Sequence, residues 1–143
     1  MQSLPLYMNS KRILAYGEDA LVISTRAMIL QRAGYDVSHT TRIIDVLPLL
    51  RGISFDLLLI GDSIRTPQNV QLAQSVREQF PALVIAMVQD EKEDRDPWST
   101  AFISSNPEQM LASLRLLFED RRKPAARSRN VRNLKVMHTA AGR

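Results

Sequence analysis

The chain has 143 residues, no cysteine, and hydrophobic and aromatic shares of 45% and 6%, which suit one domain with its own core and exclude a disulfide framework or a cysteine-ligated metal. Its formal charge of +4 is unevenly placed: eight of the 19 basic side chains (Arg121, Arg122, Lys123, Arg127, Arg129, Arg132, Lys135 and Arg143) fall in the last segment, while residues 1–120 hold all 15 acidic ones. Only that segment is basic enough to attract nucleic acid; the body is net acidic.

Met1 to Ser10 lacks the charged and apolar regions of a secretory signal and reads as a flexible lead-in. Apolar runs such as Leu57 to Ile60 are too short to span a bilayer, so a soluble, cytoplasmic protein without a membrane partner is expected. Arg12 to Tyr16 is an apolar run stopped by Gly17, the pattern of a buried strand. Leu21, Ile23, Ala27, Met28, Leu30 and Ala33 recur at helical spacing, with Asp19 placed to cap and Gly34 to terminate. Tyr35 to Thr40 alternates as a strand does. Ile43 to Leu50 predicts a helix ending at Gly52, shortened or kinked by Pro48.

Phe55 to Ile60 predicts a third strand, apolar nearly throughout, as a sheet covered on both faces requires. Thr66 and Pro67 open a helix running to Phe80. Leu83 to Val88 and Thr100 to Ser104 predict the fourth and fifth strands, and Asn106 and Pro107 open a last helix. Between the last two strands stands the polar run QDEKEDRDP, too short for a full crossover helix and read as solvated. Strand and helix otherwise alternate, which predicts a doubly wound, five-stranded parallel sheet of the flavodoxin-like α/β class, order 2-1-3-4-5, with the helix before the fifth strand shortened or missing. The domain is expected over residues 11–120, and residues 121–143 as a basic tail, disordered or partly helical.

From Arg12 to Phe118 the chain resembles the receiver domain of two-component response regulators, the CheY-like superfamily. RILAYGED looks like its first strand and acidic turn, QRAGYDV like the link to the second strand, FDLLLIGDS like the third strand, and NPEQMLASLRLL like its last helix. The resemblance implies a site at the carboxyl ends of the strands. There two acidic residues hold Mg²⁺, an Asp ends the third strand as phosphoacceptor, and a hydroxyl and a Lys end the fourth and fifth. Phosphoryl transfer between anions needs such cations to offset charge and a carboxylate in line.

Those positions fall here on Gly17 and Glu18, on Gly61, on Val88, and on Ser104 or Ser105. No lysine stands between Lys92 and Lys123. The reading is therefore a degenerate pseudo-receiver with no catalytic residues and no cofactor, not an enzyme. It would act independently of phosphorylation as an adaptor binding another protein of a phosphorelay pathway, or its own copy. Two alternatives stay open: Asp62 as phosphoacceptor of a distorted pocket, with Glu18, Asp19 and Asp62 as a weak divalent site, or nucleic-acid binding through the tail. Tail contacts, to nucleic acid or a partner, would come from Arg121, Arg122, Lys123, Arg127, Arg129, Arg132 and Lys135. His39 and His138 have no partner at metal-ligand spacing and are expected on the surface, and Trp98 is expected as a partly buried aromatic at the strand edge.

Overall fold

The computed structural model describes residues 10–61, 66–90 and 95–121. The strands are β1 (Arg12–Tyr16), β2 (Asp36–Thr40), β3 (Leu57–Ile60), β4 (Val84–Val88) and β5 (Ala101–Ile103). The helices are α1 (Ala20–Arg32), α2 (Val46–Gly52), α3 (Pro67–Gln79) and α4 (Pro107–Arg121), with a 3₁₀ turn at Ile43–Asp45 leading into α2. All strand pairs are parallel and the order is β2-β1-β3-β4-β5, the expected doubly wound sheet. The described residues fall into two units, one ending at Met110 and the other beginning at Leu111. The second contributes the rest of α4, where Leu114 and Phe118 are buried.

Local chemistry sets the element ends. The Asp19 carboxylate accepts from the amides of Leu21 and Val22 at 3.0 and 3.2 Å and starts α1. Gly34, at φ +104°, turns the chain after it. Pro48 sits in the first turn of α2, where its missing N–H costs nothing, and the stretch before it tightens into a 3₁₀ turn instead of a regular helix. The Thr66 hydroxyl caps α3 by accepting from Asn69 N, and Pro67 is the first residue of that helix.

Every residue of β3 and β4 is buried, which is why these strands read as continuous apolar runs. Leu14, Tyr16, Leu58, Ile60, Ile85 and Met87 form one core with Val46 and Leu50 of α2 and Leu72, Ala73 and Val76 of α3. The alternate strand residues Ile13, Ala15, Leu57, Leu59 and Ala86, also buried, face the opposite side. There α1 lies against β1 and β2 and buries Ile23, Ala27 and Leu30.

The segment between β4 and β5 departs from a βαβ unit, and its described residues contain no helix. Asp96 folds it: one carboxylate oxygen accepts from Trp98 N at 3.0 Å and Ser99 N at 2.7 Å, the other from the Ser99 hydroxyl at 3.1 Å. Asp96 is buried, so this end of the acidic run is not the solvated turn expected. Three donors to one carboxylate offset its desolvation. Trp98 and Phe102 are partly buried against the core, and the Arg95 guanidinium lies 4.9 Å from the Phe102 ring centre.

Arg77 of α3 clamps the same segment. Its Nε and Nη2 donate to the Trp98 carbonyl at 3.0 and 2.9 Å, and Nη1 donates to the carbonyls of Pro81 at 2.9 Å and Leu83 at 2.7 Å. Nη2 also reaches the Thr100 hydroxyl at 3.1 Å, which in turn accepts from Ile85 N of β4 at 3.0 Å. A planar, five-donor guanidinium suits this task. It ties a helix and a turn to the segments that lead into β4 and β5.

Candidate functional site

The carboxyl ends of the parallel strands gather the residues that the sequence singled out, as expected for a doubly wound sheet. Tyr16, Ile60, Met87 and Phe102 stand in one cross-strand row, so Gly17, Gly61 and Val88 follow together at the ends of β1, β3 and β4. Gly17 and Val88 are buried and Glu18 is exposed. Asp19 is committed to the helix cap described above. Asp62 lies outside the described residues, as do Arg122, Lys123, Arg127, Arg129, Arg132, Lys135 and His138. Arg121 is the last residue of α4, and His39 is exposed on β2.

Gly61 is fixed from three sides. Its amide donates to the Tyr16 carbonyl at 2.8 Å, and its φ of +102° is one that residues with a Cβ rarely adopt. A Cβ placed there would stand 3.3 Å from Asn69 Nδ2 and 3.3 Å from the Val88 carbonyl oxygen. Asn69 is itself 5% exposed, and Val88 is wholly buried.

The third constraint is one that the sequence reading missed. Arg26 of α1, 7% exposed, donates from Nη1 to the Gly61 carbonyl at 2.6 Å. Burying a guanidinium is costly unless it is well paired, and this short bond is one such pairing. A signal was present: Arg26 stands three residues after Ile23 and four before Leu30, on the core-facing row of α1. A charged residue on that row marks a polar site beneath the helix.

Beyond β4 and β5 a second link closes the strand ends. Asp90 accepts from the Ser105 amide at 2.9 Å through one carboxylate oxygen and from the Ser105 hydroxyl at 2.8 Å through the other. The amide bond from Ser105, with further help from the Ser105 and Ser104 hydroxyls and the charge of Arg26, holds the Asp90 carboxyl below its ordinary value of 3.8, against a smaller opposing effect of burial. Ser105 thus serves as the partner of a carboxylate. The cation of the region comes from α1 and not from the end of β5.

The described residues of this set do not make up a metal site. Gly61 and Val88 offer no side-chain oxygen, the Gly61 carbonyl already accepts from a cation, and Asp19 caps a helix. Among the described residues no three His, Asp or Glu side chains stand together as a metal site.

Beside the strand ends a cavity of about 260 Å³ opens between α1 and the β5–α4 connection. Leu21, Val22, Ile29, Pro107 and Met110 line it together with Thr25, Arg26 and Ser105. Leu21 is 75% exposed and Met28, further along the helix, 48%. No carboxylate lines this opening. Among the described residues no helix is long and apolar enough to cross a membrane.

No family model matches the chain, and no curated protein does. Solved structures do. The response regulator receiver domain protein (CheY-like) from Methanospirillum hungatei JF-1 superposes with a TM-score of 0.69 at 21% identity, over 80% of this chain and 98% of that one. The signal receiver domain of an HD domain-containing protein from Pseudomonas fluorescens Pf-5 gives 0.67 at 16% identity, over 80% and 98%. Response regulator protein TrrA from Thermotoga maritima, solved in complex with Mg(2+)-BeF, gives 0.65 at 16% identity, over 75% and 98%. The architecture built above from strand order and crossover helices is that of the CheY-like response regulator receiver fold.

Proposed function

We propose that the chain is a pseudo-receiver: a signalling module of a two-component-type pathway that binds a partner protein, or its own copy, without being phosphorylated. The observation that carries this reading is Gly61. The position that the resemblance assigns to the phosphoacceptor has no side chain, and its φ of +102° and its 3.3 Å neighbours would strain one. The remaining positions agree in kind, with Val88 where a hydroxyl and Ser105 where a lysine would stand. With that chemistry gone, recognition is the function left to the scaffold. The apolar opening beside α1, rimmed by the exposed Leu21, supports a protein surface as its target.

The reading is tested in cells with a photoreactive residue in place of Thr25, on the rim of that opening. A discrete protein adduct should form, should be reduced by Leu21→Glu, and should be unchanged by Asp62→Asn. An adduct that depends on Asp62 would overturn phosphorylation independence. An adduct insensitive to Leu21→Glu would move the partner elsewhere.

A further inference from the structure

The strand-end site contains its own positive charge. Arg26 reaches it from the core-facing row of α1, its side chain buried and its Nη1 on the Gly61 carbonyl at 2.6 Å. Asp90 stands beyond the end of β4. It holds Ser105, beyond β5, by amide and hydroxyl together. One covalently tethered cation is therefore bonded to a carbonyl of the β3 end, and a separate carboxylate after β4 is bonded to the start of the last connection. Gly61 and Val88 add no side-chain oxygen, and the Asp90 carboxylate is engaged by Ser105.

We propose that Arg26 is the resident cation of this site, a guanidinium built into the fold that takes the place of a divalent metal and excludes it. The consequence is a site with one standing charge state. Where a diffusible ion comes and goes with concentration, Arg26 remains, and the carbonyl at the end of β3 keeps its cationic partner whatever the supply of Mg²⁺. This inference rests on the reading of the site as one that takes no phosphoryl group.

The test is a Mg²⁺ titration of the full chain at constant ionic strength, followed by the amide resonances of Gly17, Gly61, Asp90 and Ser105. The wild type should show no saturable shift there at millimolar Mg²⁺. Arg26→Gln, which keeps an N–H donor for Gly61 but removes the charge, should respond at least about tenfold more tightly, as relief of like-charge repulsion requires. Arg26→Lys, which keeps the charge, should stay as unresponsive as the wild type. Saturable Mg²⁺ binding by the wild type at these amides, or a folded Arg26→Gln no more responsive than the wild type, overturns the inference. Should Arg26→Gln fail to fold, the wild-type Arg26 Nη–H signal decides: its persistence in slow exchange under Mg²⁺ supports the inference, and its displacement by Mg²⁺ ends it. The two readings fail separately. Phosphoryl uptake seen by mass removes the pseudo-receiver reading, whereas Mg²⁺ shifts without a mass gain remove the resident cation alone.

Discussion

Arg26 donates a 2.6 Å hydrogen bond to the main-chain carbonyl of Gly61, so a buried cation and the side-chain-free end of β3 form one unit. The bond joins two departures from a working receiver pocket. On the proposed reading, the glycine stands where the phosphorylated group would be, and the arginine supplies from α1 a charge that needs no diffusible ion. Each supports the other, because a buried guanidinium needs an acceptor and an unpaired carbonyl at a strand end needs a donor.

Restoring a carboxylate by substitution should therefore fail. Gly61→Ala is expected to destabilise the protein by about 1–3 kcal/mol, the usual cost of holding a residue with a Cβ in a sparsely populated backbone region. Gly61→Asp should cost at least as much, since its Cβ meets the same atoms at 3.3 Å. Urea unfolding measures both. A Gly61→Asp protein as stable as the wild type would show that the backbone relaxes and that the glycine is not required by geometry.

Arg77 should matter to stability more than its position on the outer part of a helix suggests. Arg77→Met removes donors from the carbonyls of Trp98, Pro81 and Leu83 and from the Thr100 hydroxyl. The expected loss is about 2–3 kcal/mol, in the range for hydrogen bonds to charged groups in partly buried settings. Arg77→Lys should recover little of it, because a single ammonium cannot span these acceptors. Full recovery by lysine would reduce the clamp to a charge effect.

Much of this architecture was legible in the chain. Gly17, Gly34, Thr66, Pro67, Asn106 and Pro107 punctuate it with turn and capping chemistry, and the strands between are apolar enough to announce a sheet covered on both faces. The convergence of the ends of β1, β3 and β4 was legible as well, since strand ends in a parallel sheet lie together. What stayed hidden were the long-range polar links. Arg26 was visible as a charge on an apolar row, but its acceptor is a backbone carbonyl 35 residues away, and main-chain acceptors leave no mark in a sequence. Asp90 and Asp96 read as members of one acidic run. The structure separates them: Asp90 binds Ser105 across 15 residues, and Asp96 is buried as the cap of its own turn.

The Asp90 link gives the protein a defined acid response. Its carboxyl is held below the ordinary 3.8, so the folded chain binds fewer protons there than the unfolded chain in that range. Its contribution to stability is present above 3.8 and is lost as pH falls through the lower folded value. Asp90→Asn should therefore weaken the protein near neutral pH, and the difference from wild type should shrink in strong acid. Denaturation at a series of pH values checks this. A difference that grows on acidification would have the wrong sign for the bonds drawn here.

The central claim is that the scaffold no longer takes up a phosphoryl group, and intact-mass spectrometry after incubation with acetyl phosphate and Mg²⁺ tests it most directly. The mass of the full chain should be unchanged, alike in wild type and in Asp62→Asn. A gain of one phosphoryl group in the wild type that is absent from Asp62→Asn would contradict it.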